Sequence, residues 1–233
     1  MRKLIIASTS TIYGSGYLEY LLPTLTSFFE GVSTLLFIPY ARPGGISYDA
    51  YTKIAAKAFA TINIKVRGIN EFDNPIKALQ EAQAIFTGGG NTFELLNQLY
   101  QHDLITELKS VLENGTPYLG TSAGSNICGV SIRNTNDMPV VYPPSFKALE
   151  TIAFNINAHY LDPVKGSTHM GETRETRIQE FHVYNNTPVL GLREGSWLEV
   201  MDQKIILKGA LQARLFQKNQ LPLELASGSE IAL

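Results

Sequence analysis

One pattern constrains this chain more than any other. Short apolar bursts rich in Ile, Leu and Val alternate five times with longer stretches of helical spacing. The bursts are "KLIIAS", "STLLFIPYA", "NIKVRGI", "AIFTGGG" and "TPYLGTS". Between them lie "GYLEYLLPTLTSFFEG", "SYDAYTKIAAKAFATI", "NPIKALQEA" and "NTFELLNQLYQHDLITELKSVLENG", the last closed by Asn114-Gly115. Apolar strands without alternation are buried on both faces, as in a parallel sheet covered by helices. The repetition predicts a doubly wound α/β fold with a mostly parallel sheet and helices on both faces. After Gly129 the pattern turns to short strands and turns around one clear helix, "GETRETRIQEFHVYN". No linker or low-complexity tract divides the halves. The expectation is a single domain over residues 1–233 with one mixed sheet.

In such folds ligands sit beyond the carboxyl ends of the strands. Four segments fall there, "STSTIYGSG", "YARPGG", "TGGGN" and "TSAGSN", all rich in Gly, Ser or Thr. The last contains Gly120-Thr121-Ser122-Ala123-Gly124, a G-x-S-x-G pattern that sets a serine on a sharp strand-to-helix bend. Ser122 is the candidate nucleophile. A hydroxyl needs a base to take its proton and a carboxylate to orient that base.

Four histidines are available. His102 and His182 fall within or beside helical segments and read as packing or capping residues. His159, at the end of "AFNINAHYLD", has the strand-end position of a catalytic residue and ranks ahead of His169. Two acids compete to orient it. Asp137 gives the order serine, acid, histidine; Glu194 gives serine, histidine, acid. The amides of Gly89, Gly90 and Ala123 are candidates for an oxyanion hole, and Asn91 follows them at the helix start. The glycine loop lacks the G-K-[ST] of a phosphate loop and the G-x-G-x-x-G of a dinucleotide fold.

Taken together, "TGGGNTFELL", "GTSAGSN", "RNTNDMPV", "INAHYLD", "HMGETRETRIQEF" and "GLREGSWLEV" resemble the aspartyl dipeptidases of serine peptidase family S51 over nearly the whole chain. The resemblance implies a flavodoxin-like fold related to class I glutamine amidotransferases. It implies Ser122 as nucleophile and His159 as base, with Asp137 and Glu194 both on offer as the acid and Glu194 favoured for the direct contact. It also implies hydrolysis of small acidic dipeptides with an N-terminal aspartate, without metal or cofactor. Thr121, ahead of the serine, matches related branches such as the cyanophycinases, so β-linked aspartyl peptides are the alternative substrate. A non-catalytic small-molecule-binding module is the rival from another class.

Such a substrate needs a cation for its side-chain carboxylate. Arg174 and Arg177, three residues apart on one helical face, are the candidates, Arg174 first. Glu172 or Glu175 would take the free amine. The remaining bulk properties set limits. A formal charge of −2 argues against a nucleic-acid partner. No apolar run reaches the length of a membrane span. One cysteine, Cys128, excludes an internal disulfide and suits the cytoplasm. On the helix after the bend, it reads as a buried apolar residue.

Overall fold

A computed structural model describes residues 1–163, 166, 168 and 170–233. The strands and helices follow in chain order: β1 Lys3–Ala7, α1 Leu22–Phe28, β2 Thr34–Ile38, α2 Tyr48–Ala60, β3 Lys65–Gly68, α3 Pro75–Gln80, β4 Ile85–Thr87, α4 Thr92–Gln101, α5 Leu104–Glu113, β5 Tyr118–Thr121, α6 Ala123–Asn126. The second half contributes β6 Asn155–Ala158, α7 Arg174–Tyr184, β7 Val189–Leu192, β8 Ser196–Met201, β9 Lys204–Gly209, β10 Ala213–Phe216 and β11 Leu223–Leu225. All five apolar bursts become β1 to β5. The stretch after β1 is helical only from Leu22, where Pro23 sits in the first turn with its fixed φ and missing donor.

The strands form two sheets. Seven lie in the order β3-β2-β4-β5-β1-β8-β9. The first five are parallel; β8 and β9 add an antiparallel edge. A second sheet runs β11-β10-β7-β6. The expectation of one mixed sheet is therefore corrected. β7 and β8 are separated by Arg193-Glu194-Gly195 alone, yet they belong to different sheets. Gly195 turns at φ +82°, a conformation that favours glycine, and sends the chain across.

Successive residues of the parallel strands face opposite layers, as a pleated strand requires. Ile5, Ala7, Leu35 and Phe37 meet α1 and α2 through Leu25, Phe28, Ala55 and Phe59. Leu4, Ile6, Leu36 and Ile38 meet the other side, with Leu79, Leu95, Leu99, Leu108 and Leu112 from α3 to α5. Leu190, Leu192 and Leu215 of the second sheet join that same core. Phe86 centres an aromatic group on the α2 side, with ring centroids 4.9 Å from Phe37 and 5.8 Å from Phe59. Helix starts are satisfied in the usual way: Ser47, Asn91 and Thr173 side chains accept from amides three residues on. Among the described residues no helix is long and apolar enough to cross a membrane.

Arg193 ties the second sheet together. Its guanidinium donates to Asp162, after β6, at 2.7 and 2.8 Å. It also donates to Glu224 of β11 at 2.9 and 3.0 Å and to the Gln212 carbonyl at 2.7 Å. Those Arg193 hydrogen bonds hold the Asp162 carboxyl below its ordinary range, against the opposing effect of burial.

Two expectations follow. Phe86→Ala removes the centre of the aromatic group and should cost about 3–5 kcal/mol in urea unfolding. A loss below about 1 kcal/mol would show that the group is not packed as described. For Asp162 the folded carboxyl is the stronger acid, so its stabilisation is complete above about pH 4 and is lost as pH falls through the lowered value. Asp162→Asn should therefore be less stable than the native protein at pH 7, with the difference shrinking on acidification. A difference constant down to pH 2.5 would contradict the linkage.

Candidate active site

Ser122 occupies the bend between β5 and α6 with φ +53° and ψ −110°. For a residue with a Cβ this is a strained region, costing on the order of 1–3 kcal/mol. The strain is held from both sides. The Ser122 amide donates to the Ala7 carbonyl at 3.1 Å, and its own carbonyl accepts from Ser125 and Asn126 at 2.9 Å each. Ser125 Oγ donates to the same Ala7 carbonyl at 2.6 Å. The flanking glycines are obligatory for close approach. A Cβ on Gly120 would lie 2.5 Å from the Gly124 carbonyl, and one on Gly124 would lie 2.2 Å from the Thr87 carbonyl.

His159 follows β6, in a left-handed conformation at φ +54°. Its amide donates to Ser8 Oγ at 2.9 Å, and Ser8 Oγ in turn donates to the Leu192 carbonyl at 2.6 Å. The first strand thus ends by fixing both the bend and the histidine. His159 Nε2 lies 2.9 Å from Ser122 Oγ, and Nδ1 lies 2.6 Å from Glu194 Oε1. A carboxylate at Nδ1 selects the tautomer protonated there, leaving Nε2 free to accept the serine proton.

Asp137 is elsewhere. Its Oδ2 accepts from the Thr92 amide at 2.7 Å and from the Thr92 hydroxyl, at the start of α4. Thr92 Oγ1 accepts from Asn126 Nδ2 at 3.0 Å, and Asn126 Oδ1 accepts from the Ala158 amide at 3.3 Å. Of the two acids, the structure brings Glu194 to the imidazole. Asp137 reaches His159 only through a chain of hydrogen bonds into β6.

The loop after β4 lies against the serine. A Cβ on Gly89 would come within 2.9 Å of Ser122 Cβ, and one on Gly90, at φ +146°, within 2.2 Å of the Ala41 carbonyl. Tyr51 Oη donates to the Gly89 carbonyl at 3.1 Å. In a trans peptide this also fixes the direction of the Gly90 N–H. Among the described residues the amides of Gly89, Gly90 and Ala123 donate to no backbone carbonyl outside regular helices and strands. Ala123 opens α6, where first-turn amides have no partner within the helix.

These elements enclose a cavity of about 390 Å³ lined by Gly89, Gly90, Ser122, His159, Asp137 and Arg174, with Arg42, Thr9, Ser10, Asn126, Thr135, Asn136 and Ala158. Arg174 is the first residue of α7. A cation there opposes the helix dipole, so its place is not explained by helix stability. Burial, then the like charge of Arg177, hold its guanidinium below the ordinary value, while Asp137 acts the other way.

Other expected contacts are not made. Arg177 does not line the cavity and pairs with Glu172 at 3.9 Å. Glu175 pairs with Arg214 at 3.0 Å. Asn91 also stays out of the cavity wall: its Oδ1 caps α4 and its Nδ2 donates to the Met138 carbonyl at 2.8 Å, holding the Asp137 loop. Thr121 is fully buried in β5 and does not line the cavity.

His102 caps α4 and stacks on Tyr40, and His182 is buried with Nε2 on the Thr187 carbonyl. His169 lies outside the described residues. Cys128 is fully buried, and burial raises its thiol to about 12, so it stays protonated. Arg42 is a charged cavity residue that was not among the sequence candidates. The signal was its place in "YARPGG", directly beyond β2.

Residues 4–208 match the model of peptidase family S51. The chain is 48% identical over 230 residues to a peptidase E of Streptomyces coelicolor, covering 99% of this chain and 93% of that protein. It is 47% identical over 228 residues to a Drosophila melanogaster protein named "Probable alpha-aspartyl dipeptidase", covering 97% of this chain and 94% of that one. The crystal structure of a peptidase from an acI-B1 actinobacterium superposes with a TM-score of 0.75 over 100% of this chain and 97% of its own, at 16% identity, a likeness of fold. By the span of the family match and by these identities, the chain belongs to peptidase family S51.

Proposed function

We propose that this protein is a serine-type dipeptidase that hydrolyses dipeptides with an N-terminal aspartate. The observation that carries the reading is the line Glu194–His159–Ser122, with contacts of 2.6 and 2.9 Å, opening into a cavity that holds Arg174 and Asp137. The names carried by the relatives from Streptomyces coelicolor and Drosophila melanogaster agree with it.

The steps follow from the groups present. Ser122 Oγ attacks the aspartyl carbonyl carbon while its proton passes to His159 Nε2. Glu194 steadies the imidazolium through Nδ1–H. The carbonyl oxygen, now an oxyanion, takes hydrogen bonds from the amides of Gly89, Gly90 and Ala123. The C–N bond breaks as His159 returns the proton to the leaving amine, and Ser122 carries the aspartyl ester. Water then attacks that ester, giving up a proton to His159, and aspartate leaves as the proton goes back to Ser122. Arg174 holds the side-chain carboxylate. Asp137, whose Oδ1 has no hydrogen-bond partner among the described residues, receives the substrate's free ammonium. That assignment replaces Glu172 and Glu175, which are engaged with arginines.

Chain order and strand order support kinship with the class I glutamine amidotransferases. Nucleophile, histidine and acid follow in that sequence. If counting begins at β2, the parallel strands take the flavodoxin order 2-1-3-4-5, with β1 in the fifth place. We take residues 1–233 as one working peptidase domain. The reduced, buried Cys128 fits a cytoplasmic setting.

The deciding experiment is a panel of Asp-Leu, Leu-Asp and β-Asp-Arg with native protein and Ser122→Ala. Native protein should cut Asp-Leu alone and take up a fluorophosphonate on Ser122; Ser122→Ala should do neither. Cleavage of the β-linked substrate only would move the enzyme to the cyanophycinase-like reading. Absent labelling together with no cleavage would favour a binding module. Glu194→Gln should lower kcat by about 10²- to 10⁴-fold with little change in KM; retained activity would remove it from the line. Arg174→Met should raise KM for Asp-Leu about 10- to 100-fold, and an unchanged KM would take Arg174 out of the substrate site.

A further inference from the structure

We infer that Arg42 is the receptor for the C-terminal carboxylate of the substrate and so restricts the enzyme to dipeptides. This rests on the aspartyl dipeptidase reading above and adds to it the residue that measures substrate length. Arg42 lines the same cavity as Ser122 and lies beyond β2. Its guanidinium carbon lies over the Tyr51 ring, 4.5 Å from the centroid, a cation–π contact that holds the fork in place. Its Nε is buried without a hydrogen-bond partner. Among the described residues no carboxylate lies within ion-pair distance of it, whereas Arg67, Arg177, Arg193 and Arg214 all have one. A guanidinium remains charged at any physiological pH. A charged, unpaired fork held over a ring and facing a cavity is built for an incoming carboxylate.

Which carboxylate follows from the two walls of the cavity. Arg174 and Asp137 act on each other electrostatically and belong to the wall made by the start of α4 and the start of α7. Arg42 belongs to the opposite layer, with Tyr51 of α2 and Tyr17 as its neighbours. Ser122 lies between them at the carboxyl end of β5. An Asp-Xaa dipeptide carries an ammonium and a carboxylate on its first residue and a second carboxylate on its last. Arg174 and Asp137 together satisfy the first residue. The remaining negative charge lies across the scissile bond, and among the described residues Arg42 is the other arginine lining the cavity. The three charges of the wall thereby mirror the three of the substrate. Extending the peptide by one residue, or capping it as an amide, removes the charge from the place where Arg42 waits.

The test compares Asp-Leu with its C-terminal amide, Asp-Leu-NH₂, in native protein and in Arg42→Met, which keeps a stem over Tyr51. Native protein should prefer the free acid by about 10- to 100-fold in kcat/KM. In R42M that preference should fall to near unity through loss on Asp-Leu, with Asp-Leu-NH₂ cleaved within about threefold of native. Arg42→Lys should keep part of the preference, since it retains the charge and loses the fork. Equal cleavage of acid and amide by native protein would overturn the assignment without any variant. An equal loss on both substrates in a folded R42M would also overturn it, placing Arg42 with the first residue or the scaffold. Failure of native protein to cut either aspartyl substrate would overturn the dipeptidase reading and this inference with it, so the two failures are distinguishable.

Discussion

The rest of the site depends on holding Ser122 in a backbone conformation that an L-residue avoids. At φ +53° and ψ −110° the bend is costly, and it survives because its surroundings leave no alternative. The carbonyl of Ala7 receives both the Ser122 amide and the Ser125 hydroxyl. Ser8, the next residue, receives the His159 amide and bonds the Leu192 carbonyl. Two consecutive residues at the end of β1 therefore set the position of the serine, the histidine and the approach to Glu194. These bonds join segments far apart in the chain, and those from the Ser8 and Ser125 hydroxyls are buried, where each is worth more than at a surface. The Glu194–His159–Ser122 line inherits its geometry from the strand end and not from the flexible side chains themselves.

The distribution of charge in the cavity then separates two tasks that a sequence reading leaves merged. Glu194 serves the histidine directly, through one short contact. Asp137 anchors the start of α4 through Thr92, and by way of Asn126 that anchor continues to the amide of Ala158. A change at Asp137 would thus disturb both the cavity wall and the strand that carries His159. This explains physically how either acid could be taken for the partner of the imidazole: one touches it, and the other shares a hydrogen-bonded network with its backbone.

Much of the fold was legible because parallel strands buried on both faces leave unbroken apolar runs, and all five were visible as such. The serine bend was legible because close packing demands its glycines, and Gly120 and Gly124 each face a carbonyl at under 3 Å from where a Cβ would be. The second half was not. β7 and β8 read as one strand-rich stretch, and nothing in "GLREGSW" says that the chain changes sheets within it. Why Arg177 and Asn91 stay off the cavity wall has a related reason. Helical spacing shows that Arg174 and Arg177 share a face but not which of them meets the cavity wall. Asn91 carries a capping signature that the glycine loop before it obscured. Arg42 escaped because its role arises from a ring, Tyr51, that reaches it only once α2 folds over the sheet.

One feature of the line departs from the usual serine triad, in which the acid is buried. The side chains of His159 and Glu194 are 38% and 46% exposed. An exposed polar contact is weak and leaves long side chains free to wander. Here the restraint comes from the residues on either side of Glu194. Leu192 is tied to Ser8, Arg193 is locked by Asp162, Glu224 and the Gln212 carbonyl, and Gly195 packs so tightly that a Cβ on Gly209 would lie 2.4 Å from its carbonyl. With the backbone fixed on both sides, the Glu194 side chain leaves the loop from a set position, from which Oε1 meets Nδ1. A clamped loop gives this contact the positioning that burial gives the acid of a serine triad. It also ties the chemistry to the second sheet, since the clamp draws on β11 and on the segments around β6 and β10.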